Sequence, residues 1–236
     1  MKVSDLIALP FQWGSAIRGR RIFHPAGVLA KGAIERVAPG RYGLPIPSGD
    51  AIARVSKASG TPGSLPDFIG LALRVVPPQA VALPWDILLV SAGSGVVSRA
   101  VALRPTMSWT GQTLTSLMPL RYGERNWWLR ARIVTDIDGF GLSLQSVRDG
   151  IQCGGIDIAI DQPRGAADFE PLARLTLTTV IEAEQDGDVS FDPVVNTAPG
   201  LRLYPAWLAG LRARAYHRSR TGRAAYSSRA GDRLRS

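Results

Sequence analysis

Short apolar segments separated by glycine and proline are the feature that most constrains the fold of this 236-residue chain. From about residue 50, these segments alternate apolar with polar residues or form short apolar runs, and turns recur every eight to fifteen residues. Such spacing is typical of a β-sandwich or a closed barrel. We therefore expect a mainly β fold of seven to nine strands.

Eight segments carry this strand pattern. They are AIARVSKAS, IGLALRVV, WDILLVSA, VVSRAVALR, NWWLRARIV, LSLQSVRDG, GGIDIAID and FEPLARLTLTTVIEAE. In the first segment, Arg54 and Ser56 are predicted to share one face and Val55 to lie on the other, because side chains alternate along a strand.

The pattern changes after residue 200, where PAWLAGLRARAYHRSR places Leu208 and Leu211 on one side at helical spacing. Pro205 suits the first turn of such a helix. We therefore expect a fold of the α+β kind, with residues 1–223 forming one barrel domain that ends in this helix. Residues 224–236 are expected to form a flexible basic tail.

The net charge of +9 is concentrated at one end of the sequence. Residues 201–236 contain nine arginines and one aspartate, which leaves a net charge of about +1 for the remainder. Tyrosines and Trp207 lie among these arginines and could stack on bases. A flexible basic terminus more often serves solubility, however, so nucleic acid is disfavoured as a partner.

Cysteine content and hydropathy bear on the compartment. Cys153 is the only cysteine, which excludes an internal disulfide and fits a reducing cytoplasm. No run of 18 apolar residues is present, and the N-terminus lacks the apolar region of a secretory signal. We therefore expect a cytoplasmic protein without a transmembrane helix.

Arg212 and Tyr216 are four residues apart in the predicted C-terminal helix, which places them on one face. A guanidinium beside the phenol oxygen favours the phenolate, and a phenolate is a competent axial ligand for ferric haem. The alternative is that Tyr216 is an ordinary core residue of an amphipathic helix.

Several short motifs follow one another along the chain. They contain Arg21, His24 and Gly27; Arg54 and Ser56; Asp67, Gly70, Leu71 and Ala72; Trp85 and Asp86; and Arg212 and Tyr216. In their residues and their order these motifs resemble those of the haem catalase family over residues 18–90, and over residues 200–223 the chain is most similar to short catalase-like proteins and allene oxide synthases.

The resemblance implies a catalase-like antiparallel β-barrel that binds haem b. Tyr216 would be the proximal iron ligand, and Arg212 would tune it. Arg21 and Arg54 would pair with the haem propionates, since a planar guanidinium meets a carboxylate through two hydrogen bonds. Salt bridges at the surface are the alternative role for these two arginines.

The resemblance also assigns the peroxide side of the haem. His24 would take a proton from the peroxide and return it to the leaving oxygen, and Ser56 would hold the imidazole in place. Val90 stands where catalases carry a distal asparagine, so efficient use of hydrogen peroxide is in doubt. His24 could instead be a neutral histidine packed at the start of the barrel.

The resulting hypothesis is a haem-dependent oxidoreductase that processes hydrogen peroxide or organic hydroperoxides. The first alternative is a barrel that binds haem or another small ligand without turnover, and the second is an interaction protein acting through its basic tail. With two histidines, the chain offers no cluster suited to zinc or two-metal chemistry. A homodimer is left open.

Overall fold

The computed structural model describes residues 26–40, 42–57, 60–61, 65–77, 84–92, 104–116, 118–137, 139, 141–163, 168–182 and 189–204. These residues form a mainly β fold that contains a closed barrel of eight antiparallel strands. The expected β architecture is therefore confirmed, and the barrel rather than the sandwich is correct. The predicted C-terminal helix and the basic tail lie outside the described residues.

The barrel strands are β1 (Ala26–Arg36), β2 (Gly49–Lys57), β3 (Ile69–Val75), β4 (Trp85–Ser91), β5 (Thr113–Thr115), β8 (Arg130–Ile133), β9 (Ile156–Gln162) and β10 (Glu170–Ile181). Their order around the barrel is β1-β10-β9-β8-β5-β4-β3-β2, and β2 pairs with β1 to close it. A small second sheet has the order β11-β6-β7, with β6 at Leu120–Tyr122, β7 at Arg125–Trp127 and β11 at Leu201–Leu203.

Alternation along the strands fills the barrel interior with aliphatic side chains. Val55, Leu71 and Leu89 are directly opposite one another on β2, β3 and β4, and all three belong to the buried core. Each such side chain stabilises the fold by about 1.5–3 kcal/mol through burial. A cavity between these strands and Trp109 measures only about 10 Å³, so the interior at this level is packed.

Strand β1 was not among the segments predicted from the sequence, which began near residue 50. It closes the barrel by pairing with β2 on one side and β10 on the other. The register with β10 shifts between Lys31 and Gly32, and a Cβ at Gly32 would lie 1.9 Å from the backbone oxygen of Thr176. Only glycine therefore permits the close approach of the two backbones at this bulge.

One predicted strand is wrong, because LSLQSVRDG lies largely in a helix, α1 (Leu144–Cys153). The Ser143 hydroxyl caps the helix by accepting a hydrogen bond from the Ser146 N–H at 3.3 Å. Val147 and Ile151, four residues apart, are both buried as α1 packs on β10 and β1. Helical spacing of the buried residues therefore outweighs the short alternation at the start of the segment.

Two further predictions concern the middle of the chain. The segment NWWLRARIV is interrupted, since its first part belongs to β7 in the small sheet and its second to β8 in the barrel. All but the last residue of VVSRAVALR lies outside the described residues. No helix in the described ranges has the length and apolar character needed to cross a membrane.

Candidate functional site

The pairing of the first four strands brings together residues from separate motifs. Gly27 on β1 lies opposite Ser56 on β2, Ser56 lies opposite Gly70 on β3, and Gly70 lies opposite Val90 on β4. Directly opposed residues in antiparallel strands share a face of the sheet. Gly27, Ser56, Gly70 and Val90 therefore form one continuous row, called here the outer row.

The outer row faces away from the barrel interior. It alternates with the row of Val55, Leu71 and Leu89, which points into the core. Arg54 is two residues from Ser56 and therefore shares its outward face, as the sequence pattern predicted. The structure thus brings together Arg54, Ser56 and Val90 on one face.

The face is covered even though it points outward. Ser56 is fully buried and Ala72, opposite Arg54 on β3, is also buried. Phe191 is part of the covering layer, because its ring centroid lies 5.9 Å from the Arg54 guanidinium carbon. The outward face of these strands is therefore covered by another part of the chain.

The outer row contains three small residues in succession, Gly27, Ser56 and Gly70. A Cβ placed on Gly27 would lie 3.1 Å from Arg54 Cγ, from Ser56 Cβ and from the backbone oxygen of Val55. The Ser56 hydroxyl donates to the Gly70 carbonyl over 3.4 Å, which is long for an O–H···O hydrogen bond. The hydroxyl therefore retains capacity for another partner.

Beyond Val90, the same line of opposed residues continues to charged side chains on β8 and β9. Val90 lies opposite Thr115, Thr115 lies opposite Arg130, and Arg130 lies opposite Asp161. Arg130 Nη2 and Asp161 Oδ2 are 2.6 Å apart, and the Phe169 ring lies 4.1 Å from the Arg130 guanidinium carbon. The uncharged part of the row therefore ends at β8.

The opposite end of the same face carries a buried carboxylate, Asp86 on β4. Arg74 on β3 binds it with two hydrogen bonds of 2.7 Å, one to each carboxylate oxygen. The backbone N–H of Asp192 and the side-chain amide of Asn196 each donate to Asp86 Oδ2, also at 2.7 Å. Arg74 also donates to the Ser190 carbonyl at 2.7 Å. We call these five residues the Asp86 cluster.

The Asp86 cluster has a structural role. Hydrogen bonding to Asp86 raises the pKa of Arg74 above its usual value and outweighs the opposing effect of burial. The guanidinium therefore stays charged and holds residues 190–196 against the barrel. Asp67, another residue of the resemblance, acts similarly within a loop, because its carboxylate accepts hydrogen bonds from Thr61 and Phe68.

Sequence reasoning named Asp86 only as part of a motif and did not identify its partners. A usable signal was present, because every pair of the β3–β4 hairpin is symmetric about residue 80, including Arg74 with Asp86 and Gly70 with Val90. Opposite charges directly across a hairpin are expected to pair. The third side chain of the cluster, Asn196, comes from a segment 110 residues away from Asp86, which no local pattern indicates.

The remaining predicted site residues, Arg21, His24, Arg212 and Tyr216, lie outside the described residues. Within the described part of the chain, no group of three or more His, Cys, Asp or Glu side chains is arranged to hold a metal ion. The packed interior leaves about 10 Å³ in its cavity, far less than a porphyrin requires. The barrel interior at this level therefore has no room for a haem group.

Comparison with known proteins adds no family assignment. No protein-family model matches the chain, and the search of curated proteins found no significant match. The resemblance to catalases therefore remains an interpretation of the motifs.

Proposed function

We propose that the outward face of β1–β4 binds haem b and that the chain processes hydrogen peroxide or organic hydroperoxides. The observation that carries the proposal is the register, which sets Ser56 and Val90 in one row and Arg54 beside them. These residues were assigned from separate sequence motifs. Their meeting on one face is what a shared binding site requires.

Side-chain size on this face suits a flat ligand. Gly27 and Gly70 flank Ser56 and carry no side chains, so a planar ring could approach the backbone closely. Arg54 lies beside this row and could pair with a propionate, while Tyr216 would hold the iron. When bound, haem would supply the iron centre at which a peroxide O–O bond is cleaved.

Chain length limits how far His24 can be from the row. His24 precedes Gly27 by three residues, and consecutive Cα atoms are about 3.8 Å apart, so the chain between them can span at most about 11 Å. Gly27 is directly opposite Ser56. In the proposal, His24 holds the proton removed from one peroxide oxygen and donates it to the other, and the Ser56 hydroxyl orients the imidazole.

The apolar side chain of Val90 favours organic hydroperoxides over hydrogen peroxide as the oxidant. It is half-buried on the same face and offers no hydrogen bond to a small peroxide. A bulkier hydroperoxide could place its hydrocarbon part against this side chain. The same observation favours the alternative function, a barrel that binds haem or another small ligand without turnover.

Two variants test the proposal by separating haem binding from turnover. Tyr216→Phe is expected to lose the ferric-tyrosinate absorption spectrum while the chain stays folded. His24→Ala is expected to retain haem but to lower peroxide-dependent turnover by ~10²–10⁴-fold at matched haem content. His217→Ala removes the other histidine and serves as the control, with turnover expected to match wild type.

The outcomes distinguish the two functions. Equal turnover by wild type and His24→Ala, with haem bound to both, would refute the catalytic role of His24. Haem binding by a wild-type protein that shows no peroxide-dependent turnover would leave the non-catalytic haem-binding barrel. A Tyr216→Phe spectrum identical to wild type would refute the proximal ligand assignment.

A further inference from the structure

The small sheet presents two arginines on one exposed face. Arg202 on β11 lies directly opposite Arg121 on β6, and Arg121 lies opposite Asn126 on β7. Leu120 and Trp127 lie on the other face of this sheet and are buried. We call Arg202, Arg121 and Asn126 the arginine row.

The arginine row is unfavourable for folding by itself. Like charges directly opposite each other on neighbouring strands destabilise a sheet. Both arginines are exposed, and among the described residues neither has an ion-pair partner. An anion bound from outside would remove this repulsion.

An aromatic ring lies beside the row. Tyr204 is 43% exposed, and its ring centroid lies 6.0 Å from the Arg121 guanidinium carbon. Its backbone N–H donates to the Pro119 carbonyl at 3.0 Å, which fixes the residue at the end of β11. An exposed ring held next to a cation is suited to stacking on a nucleobase.

The sequence extends the positive charge beyond this sheet. Residues 205–236 follow Tyr204 directly and contain eight arginines and one aspartate. A basic charge confined to a flexible terminus would disfavour nucleic acid as a partner. The arginine row shows that part of the charge lies on an ordered sheet beside an aromatic ring.

We propose that the arginine row and Tyr204 bind single-stranded nucleic acid, with the two guanidiniums on phosphates and the Tyr204 ring on a base. Arginine matches phosphate oxygens through paired hydrogen bonds. The row consists of Arg, Arg and Asn, so it offers no aliphatic side chain for insertion into a lipid surface. This site is separate from the outward face of β1–β4 and does not depend on haem.

The test uses the full chain and a fluorescently labelled oligodeoxythymidine, with affinity measured by anisotropy from 50 to 200 mM salt. For single-stranded nucleic acid, the slope of log affinity against log salt concentration becomes shallower by about 0.7 for each phosphate contact that is removed. The variant Arg121→Gln/Arg202→Gln should therefore have a slope about 1.4 shallower than wild type, so wild type should lose about sevenfold more affinity across this range.

A matched control removes the same charge elsewhere. Arg104→Gln/Arg174→Gln replaces two exposed arginines of the barrel and its loops, and its salt slope is expected to equal that of wild type. Tyr204→Leu is expected to lower affinity by at least about fivefold without changing the salt slope, because stacking is not ionic. Arg202→Gln alone should bind more weakly than wild type but melt at the same or a higher temperature.

Equal slopes for the row variant and the control would overturn the proposal. The proposal would also be overturned if the protein bound phosphatidylserine vesicles through the same two arginines and did not bind the oligonucleotide. That result would identify a lipid surface as the partner.

Discussion

The outward face of β2–β4 contains two buried polar groups with opposite surroundings. At one end, the Asp86 carboxylate accepts four side-chain and backbone hydrogen bonds of 2.7 Å. At the other end, the Ser56 hydroxyl makes one hydrogen bond within the described part of the chain, of 3.4 Å to the Gly70 carbonyl, and Gly27 and Gly70 lie on either side of it. Both side chains are fully buried.

The two ends of this face therefore have different roles, one in stabilising the fold and one in binding a ligand. A buried carboxylate is tolerated only with a full set of partners, and the Asp86 cluster supplies them. A hydroxyl with one long hydrogen bond, flanked by positions without side chains, contributes little to folding. We infer that the first end fixes the covering segment and that the second end is where a ligand would bind.

The largest effect is expected at the Asp86 cluster. Asp86→Ala leaves the Arg74 guanidinium without its carboxylate partner, and it leaves the Asp192 backbone N–H and the Asn196 side-chain amide without their acceptor. We therefore expect the free energy of unfolding to fall by about 3–5 kcal/mol. Chemical denaturation measures this value. Asp136→Ala, at an exposed carboxylate, is the control and should change stability by less than about 0.5 kcal/mol. Similar values for Asp86→Ala and Asp136→Ala would contradict the structural role of the Asp86 cluster.

A moderate effect is expected at Gly27. A Cβ there would be 3.1 Å from three neighbouring atoms, one of which is a backbone oxygen that cannot move freely. Gly27→Ala should therefore destabilise the fold by about 1 kcal/mol, in the range of mild overpacking. At Gly40 nothing lies within 4 Å of the added Cβ, so Gly40→Ala should leave the melting temperature unchanged or slightly raised. A Gly27→Ala protein as stable as Gly40→Ala would show that the face tolerates added volume.

The smallest effect is expected at Ser56. Ser56→Ala removes a single long hydrogen bond, so the free energy of unfolding should fall by less than about 0.5 kcal/mol. If haem binds as proposed, Ser56→Ala should retain haem but have lower turnover, because the role of the Ser56 hydroxyl is to orient His24. A loss of stability comparable to that of Asp86→Ala would assign Ser56 to the structural end.

Local alternation was sufficient to predict much of the barrel. It placed Arg54 and Ser56 on the face opposite Val55, and the register agrees with that assignment. It failed for β1, whose sequence AGVLAKGAIER is rich in small residues. That strand depends on pairing with β10, more than 130 residues away in sequence, and local pattern carries no information about such a partner.

The helix α1 and the small sheet were missed for related reasons. Leu142 and Leu144 alternate like a strand, but Val147 and Ile151 continue the buried set at helical spacing. Strands β6, β7 and β11 have three residues each, and β11 reaches β6 from a distant part of the chain. The arginine row arises only from that pairing, so composition alone could not place Arg121 beside Arg202.

The most direct test of the central claim is a haem titration of the full chain and two tryptophan variants. Val90→Trp adds a large ring to the outer row, and Val134→Trp adds it at a position that is 60% exposed just after β8. We expect wild type and Val134→Trp to bind one ferric haem with equal affinity, followed by the Soret absorption band, and Val90→Trp to bind at least about tenfold more weakly. Equal affinity for both variants, or no saturable Soret change with wild type, would contradict haem binding on the outward face of β1–β4.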